Sequence, residues 1–418
     1  MNNKRLLSIF LVVFVDLLGF GLILPLLPFY AESYGASPTV VGLLVASYAA
    51  ASLIGSPLLG RLSDRYGRRP ILLVSVFGTL LGFLLLGFAA PIGEMLARWL
   101  APSATKTFVL GVLFLARLLD GATAGNITVA QAYISDVTDE KNRAKGLGLI
   151  GAAFGLGFII GPALGGLLSK AGYNVPAFAA AGVATFNLLA IAFFLPESLS
   201  LARRAEIAQI QRPPFTLGAL WQALRRPVVG PLLHLRFFYG MAFSLFQSIF
   251  SLYAQAIGLT SDRTGYVLAY VGLLSVIVQG GLIGVLTKRF RENSLIITGL
   301  WVMGFSFIGW ALTRNLGTLL IVLLPLAVSG GVLNTVIQSA LTKSVSRDEL
   351  GGTLGLAGAL ESITRVIAPT VGGFLLGTLG VWAPGVFSAL MLLWSVWFAY
   401  RRIVLVKMPG VPPATEIA

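Results

Sequence analysis

The chain of 418 residues is 56% hydrophobic and 11% charged, where a soluble domain carries about a quarter charged residues. With a mean hydropathy of +0.88, it cannot clothe itself in water, so the bilayer must be its solvent. Cysteine is absent and His234 is the sole histidine, which excludes disulfides, thiolate metal sites and a histidine metal cluster. No cofactor and no metal are expected, and no nucleophile–base arrangement of an enzyme is visible.

Apolar runs of helical length fall near 6–30, 40–60, 70–91, 107–135, 146–169, 174–195, 229–257, 264–287, 294–312, 317–342, 352–377 and 382–400. About 20 apolar residues cross a membrane as a helix, so an all-α membrane protein of twelve transmembrane helices is predicted. The net charge of +14 invites a nucleic-acid reading, but its distribution gives a better account. One set of loops, from Lys4 and Arg5 to Lys407, holds 22 of the 30 Lys and Arg, and the opposite set holds five. Positive loops stay on the cytoplasmic side during insertion, which places both termini in the cytoplasm of a cytoplasmic (inner) membrane protein and removes nucleic acid as a partner. The first apolar run resembles a signal peptide, but it is too long and carries Asp16.

In the first helix, Asp16 leads Asp16-Leu17-Leu18-Gly19-Phe20-Gly21, followed by Pro25 and Pro28. Between the second and third helices stands Gly60-Arg61-Leu62-Ser63-Asp64-Arg65-Tyr66-Gly67-Arg68-Arg69-Pro70. A loop this short must reverse tightly, which Gly67 and Pro70 permit, and one acid among four arginines forms a salt-bridge cluster at the membrane face. A positive-inside loop alone explains the arginines but not Asp64. Asp136, at the end of the fourth helix on the same side, is expected to join Asp64, Arg65 and Arg68 in a cytoplasmic gate. The fourth helix holds Arg117 and Asp120, with Thr128, Gln131 and Ser135 continuing the face of Arg117. Asn126-Ile127-Thr128 is formally a glycosylation sequon, but it lies within the membrane. The fifth helix carries Gly155, Gly157, Gly161, Pro162, Gly165 and Gly166, small residues that let helices approach closely. Gly146-x-Gly148-x-x-Gly151 fits a dinucleotide fingerprint only in a strand–helix context, which is missing here.

A polar stretch over 196–228 divides the chain into a six-helix bundle at 1–195 and another at 229–404, followed by a tail at 405–418. The halves echo each other. L-G-L at 147–149 and P-x-x-G-G at 162–166 recur 207 residues on, and Gly42 has a counterpart 223 residues on at Gly265. Duplicated bundles suit a rocking transporter with its substrate near the midplane. The seventh helix sets Tyr239, Phe243, Phe246, Phe250 and Tyr253 on one stripe, beside Arg236 and Gln247. Such a stripe is usually packing, but it can also wall a cavity for a planar, greasy compound. In the eleventh helix Glu361 and Arg365 are four apart and meet on its surface. An ionised residue at a helix centre costs roughly 2.5–3.5 kcal/mol on insertion, so Asp16, Asp120, Glu361, Arg117, Arg236 and Arg365 require pairing or water.

The Gly60–Pro70 loop, the degenerate twin at Gly284–Glu292 and the Gly155–Gly166 run resemble signatures of the major facilitator superfamily, its drug/proton antiporter branch. Asp16 to Pro28 and Arg117 to Gly125 are similar to the tetracycline/proton antiporters. The resemblance spans nearly the whole chain and implies a major facilitator fold and proton-coupled export of an amphipathic organic compound, by alternating access, from a monomer. Tetracycline exporters carry further acids in the third and ninth helices and a histidine in the eighth, which this chain lacks, so exporter class is implied rather than tetracycline itself. Asp16, Glu361 and Asp120 are the expected proton-coupling acids, Asp16 first because it alone has no arginine one turn away. Arg117, Gln131, Arg236, Tyr239, Phe243, Gln247 and Arg365 are the expected cavity residues. A lipid or lysolipid translocase of the same superfamily is the alternative, with a transport-dead sensor behind it.

Overall fold

The computed structural model describes residues 3–200, 204, 217–345 and 347–404. Most of the linker, 201–203 and 205–216, and the tail 405–418 lie outside the described residues. Among the described residues twelve helices are long and apolar enough to cross a bilayer. They are α1 (Arg5–Ser33), α2 (Pro38–Tyr66), α3 (Arg68–Gly87), α4 (Pro102–Val137), α5 (Gly146–Ala171), α6 (Val175–Phe194), α7 (Val229–Ala256), α8 (Ser261–Arg289), α9 (Glu292–Leu312), α10 (Leu316–Lys343), α11 (Gly352–Leu379) and α12 (Ala383–Arg402). The sequence-predicted runs match these one for one. A short helix, Leu217–Arg225, precedes α7.

Among the described residues, three spans depart from regular α-helix away from their ends. α1 breaks between Ile23 and Leu27, where Pro25 removes a donor and Pro28 begins the next turn in a position that suits it. α8 contains a π-turn at Val278–Leu282, which includes Gly280 and Gly281. α4 is interrupted between Thr105–Ala122 and Asn126–Val137. Neighbouring serines take up the backbone groups freed there. Ser75 of α3 donates to the Thr123 carbonyl and accepts from the Gly125 amide, while Ser56 of α2 donates to the Ala124 carbonyl. A backbone break inside a bilayer requires such partners, since no lipid group supplies them.

One compact unit joins α1–α6 with residues 247–276 and 366–381; the other gathers the described residues of 214–246, 277–365 and 382–418. Beyond the linker, the boundary also crosses α7, α8 and α11. The six-plus-six division of 1–195 and 229–404 concerns sequence repeats.

Inside the first unit α5 is packed on two sides. A Cβ on Gly157 would press on Leu17 of α1, one on Gly161 would strike Gly21, and one on Gly165 would meet the Leu22 carbonyl. On its other side, Pro162 and Gly166 lie against Gly265 and Asp262 of α8. The same contact recurs elsewhere: Gly42 of α2 lies against Pro369 and Gly373 of α11. These two clasps join residues that the 207 and 223 offsets relate, so the repeat appears in packing as well as in sequence. In each clasp a Cβ on the α2 or α8 glycine would collide with a proline carbonyl oxygen. The core beside α1 is made by Val12, Val13, Leu17, Tyr133 and Ile134.

Candidate functional site

Asp16 stands in the middle of α1, half-buried, and its Oδ1 accepts from Asn126 Nδ2 at 2.6 Å. Asn126 opens the second segment of α4, so the interruption at 123–125 presents a helix N-terminus, where the unsatisfied amides favour a carboxylate, beside the acid. Asn126 is buried and its Oδ1 has no partner. The sequence offered Asn126 only as a dismissed sequon. The serines at 56 and 75, which stabilise the break, were the missed signal.

Arg117 and Asp120 form an ion pair at 2.7 Å, each about as sealed as the core around it, at 3% exposure. The Arg117 guanidinium also lies 4.3 Å from the centre of the Tyr48 ring, a cation–π contact. Predicted as a cavity residue, Arg117 instead sits within helix packing, whereas Gln131 is exposed.

The second unit holds a contrasting cluster. Arg236 of α7 donates to Asn334 Oδ1 of α10 and to Glu361 Oε2 of α11, both at 2.7 Å. The other Glu361 oxygen accepts from Arg365 at 2.7 Å. Three helices are thereby joined by the Arg236 guanidinium, with Arg365 largely exposed. Asn334 is a partner that the sequence did not single out. Tyr239 is buried and donates to the Gly330 carbonyl at 2.9 Å. Phe246 packs edge-on against Phe307 and Trp310 of α9, and Phe250 and Tyr253 are fully buried. The aromatic stripe is thus chiefly core, with Phe243 half-exposed and Gln247 exposed.

At the α2–α3 turn, Arg68 is buried and its guanidinium reaches Asp64 at 2.6 Å, Asp136 at 3.0 Å and Ser63 Oγ at 2.7 Å. Arg65 stacks over Tyr66. Glu197, past the end of α6, was missed: it accepts from the backbone amides of Arg68 and Arg69 at 2.9 and 3.2 Å and pairs with Arg204 at 3.4 Å. A carboxylate there satisfies the first amides of α3. Gly67 adopts φ +107°, and a Cβ there would collide with Glu197 and Arg204, so the turn needs glycine twice over. Gly60 lies against Thr128 of α4. Among the described residues no group of acids or histidines could hold a metal ion.

A family model described as the Major Facilitator Superfamily matches two overlapping stretches, residues 9–324 and 235–416. The chain belongs to the major facilitator superfamily. Tetracycline resistance protein, class C, of Escherichia coli is 29% identical over 374 residues, covering 88% of this chain and 89% of that protein. Multidrug resistance protein 2 of Bacillus subtilis is 26% identical over 400 residues, covering 94% of each. In fold, the chain is similar to a bacterial homolog of the human lysosomal transporter Spinster, solved inward-facing and occupied. Their TM-score is 0.71 at 14% identity, with 96% of this chain and 97% of that one covered. This major facilitator protein is therefore a multi-pass membrane transporter for a small molecule and not an enzyme.

Proposed function

We propose that this transporter exports an amphipathic organic compound across the cytoplasmic membrane in exchange for protons, with both termini in the cytoplasm and two six-helix bundles rocking about a midplane site. The supporting observation is Asp16. It lies mid-span, half-buried, and its described bond is to the uncharged amide of Asn126, whereas Asp120 and Glu361 are each bonded to arginine. An ionisable residue inside a membrane and without a fixed counter-ion is the group best suited to carry a proton through a cycle. The inward proton gradient then drives export, its electrical part supplying about 2.3 kcal/mol per charge per 100 mV. On this topology the two glycine–proline clasps lie at the outer side and close it, and the Asp64–Arg68–Asp136 cluster belongs to the cytoplasmic gate.

The test is Asp16→Asn in proteoliposomes with a collapsible pH gradient. Substrate addition should no longer move protons, while passive substrate exchange persists. Full proton movement in that variant would remove Asp16 from the coupling role and pass it to Glu361.

A further inference from the structure

The mid-membrane charges of α7–α12 do not balance. Away from the span ends they are Arg236, Glu361 and Arg365, two bases and one acid, and the single carboxylate is divided between the two guanidinium groups. Arg236 is largely buried and completed by Asn334. The surplus charge therefore falls on Arg365, whose side chain is 60% exposed and bonded to Glu361 Oε1. Arg365 is the fourteenth of the 28 residues of α11, midway through the hydrocarbon. A guanidinium so placed and so exposed cannot face lipid; it looks into a wet interior and calls for a counter-ion. The approach is open. Gly352, Gly355 and Gly358 have no neighbour within reach of a Cβ, and Ser362 is half-exposed beyond them, so small residues lead along α11 from the end near Arg347 to Arg365.

We propose that Arg365 is the recognition group for an anionic substrate: an amphiphile whose carboxylate or phosphate takes the exposed N–H donors of the guanidinium. The planar fork of arginine matches such oxyanions with two parallel hydrogen bonds, and the site repels an ammonium. Glu361 then acts as a built-in placeholder, sharing Arg365 until the substrate arrives. The proposal deepens the export reading and rests on it for direction of transport, but not for binding.

The test uses the full chain in phosphatidylcholine nanodiscs, where no gradient exists, so a failed proton exchange and a failed anion site remain distinguishable. Binding of tritiated 3-(2-naphthyl)propionate is competed by the unlabelled acid, its amide, the corresponding propylamine, and lysophosphatidylglycerol. The acid should compete at least about tenfold better than the amide or amine, the ratio that a charge-assisted hydrogen bond supports. Arg365→Gln should abolish that preference and Arg365→Lys retain much of it. The wild-type panel stands alone if a variant fails to fold. Acid, amide and amine performing alike, absence of binding included, overturns the proposal, as does a preference surviving in Arg365→Gln. Displacement by lysophosphatidylglycerol at lower concentration than by the acid assigns the anionic group to a lipid headgroup; weaker displacement assigns it to a soluble amphiphile. Both support the anion site.

Discussion

The two repeats carry matched features with opposite treatment of charge. At the α3 end of the first repeat, buried Arg68 reaches Asp136 at the end of α4. The positions offset by 223 and 207 from Arg68 and Asp136 are Arg291 and Lys343; a base thus replaces the acid at the α10 end, and exposed Lys343 pairs at 2.7 Å with Glu292, the neighbour of Arg291. Mid-membrane, the first repeat has an excess of acid and a sealed pair, Arg117–Asp120, whereas the second has an excess of base and an open pair, Glu361–Arg365. The helix scaffold is duplicated; the electrostatics are not. A proton is held best where acid is in excess, and an anion where base is, so the asymmetry divides the labour that the proposals assign.

The difference is sharpest when one arginine is removed from each repeat. Arg117→Leu leaves Asp120 buried without its cation, and a broken buried pair costs about 3–5 kcal/mol. The variant should express poorly and unfold far earlier on heating in detergent. Arg365→Leu removes a charge already in contact with water, where pairs contribute about 0–1 kcal/mol, so its unfolding midpoint should stay close to wild type. Equal losses would mean that Arg365 is as structural as Arg117.

The paired braces give the next test. Arg68→Ala strands Asp64, Asp136 and Ser63 together, and leaving buried partners unsatisfied costs about 2–3 kcal/mol. Lys343→Ala should cost less than about 1 kcal/mol, as an exposed pair does. Comparing thermal unfolding of both variants checks whether burial or repeat position sets the effect. Asp64→Asn, which retains shape and most hydrogen bonding, should be well expressed yet transport poorly.

The clasps test the feature that the repeats share. Gly42→Leu and Gly265→Leu insert side chains against repeat-related proline carbonyls, and overpacking of this kind costs about 1–3 kcal/mol. Both variants should shift the protein toward opening at the clasp end, to a similar degree. Because the chain has no cysteine, spin-label pairs placed on single introduced cysteines can read the distance across each clasp without background. A change in one variant alone would break the symmetry.

The twelve spans were legible because length and apolarity suffice for a membrane helix, and the loop arginines add their side. Gly157 and Gly161 were legible for the same reason, since small residues four apart mark close approach. The interruption of α4 was not: Thr123-Ala124-Gly125 contains no proline, and the break depends on Ser56 and Ser75 from other helices. Asn126 and Asn334 escaped notice because an amide carries no charge to betray it in an apolar run. Glu197 escaped because its partners are backbone amides more than 120 residues earlier. Tyr239 and Phe246 satisfied a periodicity that cavity walls and packed cores share, and only burial separates the two.

The smallest effect is expected at the one polar addition to the clasps. Beside the α5–α8 contact, Ser169 and Ser261 share a hydrogen bond at 2.7 Å and Lys170 pairs with Asp262 at 3.1 Å. The repeat-related positions at the α2–α11 contact are Leu376, Pro38, Gly377 and Thr39, which can form no such pair. The Lys170 side chain is well exposed, so Lys170→Ala should weaken closure by only about 0.5 kcal/mol, roughly a twofold change in the opening equilibrium. A cysteine introduced at Ser275, one turn beyond Gly272 toward the membrane centre, should then react about twice as fast with an impermeant thiosulfonate applied from the clasp side. Salt should accelerate the wild type toward the variant, because screening weakens an exposed pair. Adding Ser169→Ala should raise the rate further, since that hydrogen bond is independent of salt. An unchanged rate in the double variant would show that the glycine–proline contact alone closes both clasps.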